Sequence, residues 1–262
     1  GSGDGQYMLF TNIAVGAAAQ AWRLPIVETP AIDEGTFLVG AFGIAAVLAV
    51  VQPSTFDLSQ LAAGSNVYFK PQNRGAVIDS AESMEGGLTT VCLAESDGEV
   101  RKTLFTNGKF QGDDSSRSEM RAQYAFTLMP LLHTTARGPA LVIGFGTGTS
   151  ARAVQDSGFS QVHVVELSRD IVEMSQRHFA RANANVVDRP NVHVSFTDGR
   201  NFLQLRDSKW DFIGVEISSI WFAGAASLYN VEFYELSRRR LSEQGVFQQW
   251  IQLHHVDAAD IV

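Results

Sequence analysis

ALVIGFGTGTS (residues 140–150) passes from a run of four apolar residues straight into a glycine-rich turn. A continuous apolar run is what a strand buried on both faces requires. Gly144, Gly146 and Gly148 let the backbone approach a ligand closely, and the helix that follows presents free N–H groups at its first turn. Outward from this turn the chain alternates. Strands are predicted over Val162–Glu166, Val192–Phe196, Phe212–Glu216 and Val246–Leu253, separated by helices that include Asp170–Ala182 and Val231–Leu241. Such alternation implies right-handed crossovers and a parallel, doubly wound α/β sheet.

Glu166 ends the second strand, twenty-two residues after Gly144. That is the spacing at which a carboxylate accepts both ribose hydroxyls of a bound nucleoside. The third strand ends in Thr197-Asp198-Gly199-Arg200, where Asp198 is placed both to take an adenine amino group and to cap the next helix. A glycine turn with an acidic second strand suits NAD enzymes and S-adenosylmethionine enzymes alike.

Ahead of this region the pattern differs. Short alternating runs at Asn66–Lys70, Gly75–Ser80, Leu88–Glu95 and Val100–Thr106 are divided by turn signals, among them Asp97-Gly98 and Asn107-Gly108. They predict a small antiparallel β-domain over residues 64–112. Ser115–Leu132 reads as a helix, with Met120, Tyr124 and Leu128 on one face. The nucleoside-binding domain is expected over residues 113–262. Residues 1–63 are expected to form an apolar helical segment, and Thr36–Phe56 contains twenty-one consecutive uncharged positions. Its apolar centre, Thr36–Val51, lies just below the usual length of a membrane span. A membrane span and a buried helix of a soluble protein both fit it.

Composition narrows the classes. The 262 residues carry 20 basic and 28 acidic side chains, a net charge of −8, which argues against a generally basic nucleic-acid surface and admits a cationic substrate. One cysteine, Cys92, forms no internal disulfide. His254-His255 lacks a second cluster at metal-ligand spacing, so no metal is expected. Trp221 and Tyr229 flank the loop after the fourth strand, where covering a substrate and aromatic packing fit them equally, and Arg238-Arg239-Arg240 reads as the solvated last turn of a helix. Asp113-Asp114 reads as a turn, with a gate over the site as the lesser alternative, and His163 and His193 read as packed strand residues.

EGGLTTV (85–91), TNGKFQ (106–111), LVIGFGTGT (141–149), HVVELS (163–168), FTDGRNFL (196–203) and AGAASLYNVEFYELSRRRLSEQGVFQQWIQL (223–253) together resemble the spermidine synthase-like, or polyamine aminopropyltransferase, family. The resemblance runs from about Glu85 to Val256 and is nearest to the bacterial branch in which this domain follows membrane helices. It implies a small β-domain ahead of a Rossmann-like sheet of the class I methyltransferase type. The co-substrate would be decarboxylated S-adenosylmethionine, and the product an aminopropylated small cationic amine. By the same resemblance the domain faces the cytoplasm, attached to the bacterial inner membrane through Thr36–Val51, and forms a homodimer.

Carried over residue by residue, the resemblance implies Glu216 as the catalytic acid that takes the proton of the attacking amine. It implies Gly144, Gly146, Thr147, Gly148, Glu166, Asp198 and Gly199 around the cofactor, and Gln111, Ser219 and Tyr229 around the amine. The chain also departs from the family pattern. Thr147 stands where the glycine loop carries an Asp, Ser219 where a second acid follows the fourth strand, and Ala122, Gln123 and Tyr124 where a Tyr-His-Glu cluster helps bind the polyamine. Three functions therefore stay open: aminopropyl transfer, methyl transfer from intact S-adenosylmethionine, and a nucleoside-binding regulatory domain of a membrane protein without turnover.

Overall fold

The computed structural model describes residues 57–96, 98–217 and 224–251. Thr36–Val51, Ser219, Trp221 and His254-His255 lie outside these residues. Among the described residues no helix is long and apolar enough to cross a membrane. The chain divides into two compact units, residues 1–72 and 73–262.

In the first unit, α1 (Leu58–Ala62) is capped by Asp57, whose side chain accepts from the Ser59 N–H at 2.9 Å. The run Asn66–Lys70, expected as a strand, is instead the short helix α2 (Ser65–Tyr68). Gly64 adopts a left-handed conformation (φ 71°), and the Val67 and Tyr68 N–H groups bond back to its carbonyl. That closes a helical turn, so the alternation in sequence finds no strand partner.

The second unit opens with four antiparallel strands in sequential order: β1 (Ala76–Ser83), β2 (Gly87–Ser96), β3 (Glu99–Thr106) and β4 (Lys109–Asp113). Asn107 and Gly108 sit at φ 51° and 75°, the pair of positive angles that a tight hairpin turn demands. The turn sends the chain back along β3 and so creates β4, a strand the turn signals alone did not predict. Between Phe105–Phe110 and Leu104–Gly112 the register shifts, leaving Gln111 as the bulged residue.

The helix expected over Ser115–Leu132 is shorter. α3 spans Glu119–Leu128 and gives way to a 3₁₀ turn at Pro130–His133, because proline cannot donate the next helical bond. Before α3, the Asp113 carboxylate accepts from the Ser115 N–H at 2.8 Å and Asp114 accepts from the Lys102 N–H at 2.9 Å. Asp113-Asp114, expected as a turn, instead continue β4 along β3: Asp113 pairs with Thr103 and the Asp114 N–H bonds to the Lys102 carbonyl at 3.2 Å, so the turn falls after them, at residues 116–118.

The remaining elements are β5 (Pro139–Ile143), α4 (Thr149–Asp156), β6 (Gln161–Glu166), α5 (Arg169–His178), α6 (Ala180–Asn183), β7 (Val192–Phe196), α7 (Gly199–Gln204), β8 (Trp210–Val215), α8 (Val231–Arg240) and β9 (Leu241–Gln249). The five strands pair in parallel in the order β7-β6-β5-β8-β9. Period-two alternation serves both faces of the central strands. Ala140, Val142, Val162, Val164 and Phe212 enter one apolar cluster with α4 and α5. Leu141, Ile143, Val165, Ile213 and Val215 enter the other, with Phe202 of α7 and Phe233 of α8. Val91 and Leu104 of the antiparallel sheet join the first cluster.

Two boundaries differ from expectation. The helix over Asp170–Ala182 breaks at Phe179, whose fully buried ring is taken up by the core. The last strand begins at Leu241 rather than Val246, because Leu241 pairs with Trp210 and regular pairing resumes only at Phe212–Val246, with residues 242–245 out of register. Arg240, expected in a solvated turn, latches α7. Its guanidinium donates to the Leu203 and Gln204 carbonyls at 3.0 and 3.2 Å and pairs with Asp207 at 2.7 Å. His163 packs against His193 and against the edge of Trp210.

Candidate active site

Parallel strands open a crevice at their carboxyl ends where the strand order reverses, here between β5 and β8. The β5–α4 loop, residues 144–148, is built for that position. Gly144, Gly146 and Gly148 all have positive φ (94°, 52° and 81°). A Cβ on Gly148 would lie 2.5 Å from the Phe145 ring, so packing alone excludes a side chain there. A Cβ on Gly146 would meet only the Gln111 carbonyl, at 3.5 Å, so this glycine faces open space. The loop is fixed from behind. Ser175 Oγ donates to the Gly146 carbonyl at 2.6 Å, and the Asn183 amide donates to the Thr147 carbonyl at 3.1 Å. Thr147 itself is fully buried, 3.0 Å from Thr149 through their hydroxyls.

Glu166, at the end of β6, ties the loop to the sheet. Its Oε2 accepts from the Phe145 N–H at 2.8 Å and its Oε1 from the Ser168 N–H at 3.0 Å. Burial pushes its proton affinity up, and these backbone donors pull it back. A carboxylate has about four acceptor positions, so both oxygens retain room for further donors such as two hydroxyls. Asp198 caps α7 by accepting from the Asn201 N–H at 2.8 Å. Gly199 is required beside it, since a Cβ there would lie 2.4 Å from Ile143 Cγ2.

Glu216 follows β8 directly. Its N–H donates to the Ile143 carbonyl at 2.8 Å, and its Cβ lies 3.3 Å from where a Cβ on Gly144 would be. The carboxyl accepts from the Trp250 indole N–H at 3.0 Å. Burial raises its pKa from 4.5 to about 7; Ser150 and Trp250 oppose that shift, and the charge of Glu119 adds to it. Tyr229 braces the same corner. Its hydroxyl donates to the Ile217 carbonyl and lies 3.0 Å from the Trp250 carbonyl, and burial lifts its pKa to about 12.

On the opposite wall stand Gln111, Glu119 and Gln123. A Cβ on Gly112 would meet Thr147 Cγ2 at 3.0 Å and Gln123 Nε2 at 3.2 Å, so β4, the glycine loop and α3 converge. The Gln123 amide donates to Glu119 at 2.8 Å. Burial raises the Glu119 pKa, opposed by Gln123 and reinforced by the charge of Asp113. Sequence reasoning missed Glu119 and Trp250. Glu119 lies one turn before the helix positions compared with the family's amine-binding cluster, and Trp250 lies thirty-four residues from the carboxyl it touches. Ser219 lies outside the described residues. Among the described residues no group of three His, Cys, Asp or Glu side chains is placed to hold a metal ion.

A parallel sheet with a glycine loop after its first strand, an acidic residue closing the second and a carboxyl directly after the fourth defines an α/β protein of the Rossmann-like, class I methyltransferase type. Residues 119–260, more than half of the chain, match the spermine/spermidine synthase domain model, and the chain belongs to that family. It is 31% identical over 134 residues to a polyamine aminopropyltransferase of Serratia proteamaculans, covering 51% of this chain and 46% of that one. Against one from Thermoplasma volcanium it is 31% identical over 147 residues, covering 55% and 52%. Against polyamine aminopropyltransferase 2 of Aquifex aeolicus it is 26% identical over 147 residues, covering 55% and 29%. The chain thus spans about half the length, or less, of these relatives. Among solved structures it resembles a spermidine synthase in complex with the transition-state analogue AdoDATO, at TM-score 0.58 and 20% identity over 68% of this chain and 58% of that one. The spermidine synthase of Thermotoga maritima matches at TM-score 0.55 and 21% identity, over 68% and 57%. The fold is therefore that of spermidine synthase.

Proposed function

We propose that this chain moves the aminopropyl group of decarboxylated S-adenosylmethionine to a small primary amine. The observation that carries the reading is Glu216: a carboxyl with a pKa of about 7, held by Trp250 against the glycine loop at the reversal of the sheet. An attacking amine must be neutral, so the reaction needs a nearby group that accepts its proton near neutral pH. Glu216 fills that role. The amine nitrogen then bonds to the carbon beside the sulfonium, the carbon–sulfur bond breaks, and methylthioadenosine leaves with the electron pair on sulfur. The names borne by the relatives favour aminopropyl transfer over methyl transfer or a silent regulatory site.

The residues fit the nucleoside. Glu166 would take the ribose hydroxyls, Asp198 the adenine amino group, and Gly144, Gly146, Thr147, Gly148 and Gly199 would form the backbone cradle, with Gly146 open to the crevice. For the amine, Gln111, Ser219 and Tyr229 are joined by Glu119 and Asp113. Glu119 stands in for the family acids that this chain lacks, with Asp113 behind it already paired with Arg101 at 3.6 Å, so a cation entering the crevice meets Glu119 on one wall and Glu216 on the other. Burying it there without such partners would be prohibitive. Glu216→Gln tests the reading. It should bind methylthioadenosine as the unaltered chain does and lose transfer by about 10²–10⁴-fold. An undiminished rate would remove Glu216 as the base.

A further inference from the structure

Trp250 is clamped from four sides. Its backbone N–H donates to the Val215 carbonyl at 3.1 Å, and its own carbonyl lies 3.0 Å from the Tyr229 hydroxyl. Its ring stacks on Phe126 of α3, with centroids 4.2 Å apart and planes 12° from parallel. Its indole N–H reaches Glu216 Oε2 at 3.0 Å. An indole nitrogen donates only, so a contact of this kind favours the ionised carboxyl over the protonated one. Few arrangements hold a single donor so firmly on a single oxygen, since both the backbone and the ring plane of Trp250 are fixed independently of Glu216.

We infer that Trp250 is a positioning residue for the reaction, whose indole N–H orients Glu216 and sets the pH above which it accepts the amine proton. The inference rests on the role proposed for Glu216 above. Three elements face this carboxyl with polar groups. Glu119 of α3 makes it harder to ionise, whereas Ser150 of α4 and Trp250 after β9 make it easier. Tyr229 takes the neighbouring Ile217 and Trp250 carbonyls instead. Of Ser150 and Trp250, only Trp250 stands at hydrogen-bond distance from the carboxyl and is anchored by a stack to the opposite wall, so the Phe126–Trp250 pair also links α3, which carries Glu119, to the reacting carboxyl.

Trp250→Phe in the full chain tests this, because phenylalanine keeps a stack on Phe126 and removes only the donor. In glutamate-labelled protein, the Glu216 carboxyl signal is identified by its loss in Glu216→Gln and followed by carbon NMR across pH. Its midpoint should rise by about one pH unit in Trp250→Phe, the range of one hydrogen bond to a charged group. With putrescine as acceptor, the rising limb of kcat/KM should move up by the same interval. The loss would be about fivefold at pH 7 and would vanish by about pH 9. A midpoint equal to that of the unaltered chain overturns the inference, whatever the activity. If the unaltered chain transfers nothing while the midpoint still rises, the proposed function falls and the control of Glu216 by Trp250 stands. Should Trp250→Phe fail to fold, Phe126→Leu, which frees the indole to turn, should shift the midpoint in the same direction. No shift in that variant overturns the inference equally.

Discussion

Replacing Glu216 by Gln should make the protein more stable at neutral pH even as it removes the proposed base. Burial lifts the Glu216 pKa from 4.5 to about 7, so the folded state holds a proton that the unfolded chain releases. The sign follows directly: this contribution to stability is fully present below about pH 4.5 and is lost as pH rises to about 7. Two and a half decades of proton affinity at about 1.4 kcal/mol each amount to about 3 kcal/mol. Gln carries no charge, and its amide oxygen still accepts from the Trp250 indole. The two proteins should therefore match near pH 4.5, diverge by about 3 kcal/mol between there and pH 7, and differ by a constant amount above. Urea unfolding of both at pH 4.5, 6, 7 and 8 measures this, and every other titrating group cancels in the difference. A difference independent of pH would refute the reasoning, because it would mean that Glu216 ionises freely in the folded protein.

Glu166→Ala should abolish binding of methylthioadenosine in calorimetry, and the orphaned Phe145 and Ser168 N–H groups should cost about 1–3 kcal/mol each in unfolding; unchanged affinity would overturn the assigned ribose contact. Glu119→Gln should raise KM for a diamine several-fold with little effect on nucleoside affinity, and should move the rising limb of the pH–rate profile to lower pH, since one opposing charge is gone. Gly199→Ala drives a Cβ against Ile143 and should cost about 1–3 kcal/mol, read as a fall in Tm; an unchanged Tm would show that α7 shifts freely over β5.

The parallel sheet was legible because its strands announce themselves. Ala140–Ile143 is apolar without a break, as burial on both faces demands, and the glycine turn with Glu166 fixes the direction in which the next helix leaves. Where the reading failed, backbone bonds that the pattern of side chains does not reveal decided, some local and some distant in sequence. Asn66–Lys70 alternates like a strand, but Gly64 turns the chain before any partner is available. Leu241 joins its strand early because Trp210 offers a pairing partner across a break in register. Pro130 was visible, yet the start of α3 depends on Asp113 and Asp114 holding Ser115 and Lys102.

The site divides in the same way. Glu166, Asp198, Gly199 and Glu216 sit at strand ends, and strand ends can be counted from the sequence. Asp198 does serve as the helix cap that its position offered. Glu119 and Trp250 could not be counted. Each is defined by what it faces across the crevice, and no spacing rule joins residue 119, 216 and 250. Arg240 shows the same blindness at the surface, where a run of three arginines reads as solvated charge although one of them holds the end of α7.

The central claim is the identity of the transferred group, and product analysis tests it most directly. The full chain is incubated with a panel of primary amines, divided between decarboxylated and intact S-adenosylmethionine, and the products are read by mass spectrometry. Methylthioadenosine together with an amine heavier by one aminopropyl group, formed only with the decarboxylated co-substrate, is the predicted result. S-adenosylhomocysteine and a methylated amine, or binding of either co-substrate without any product, would contradict it.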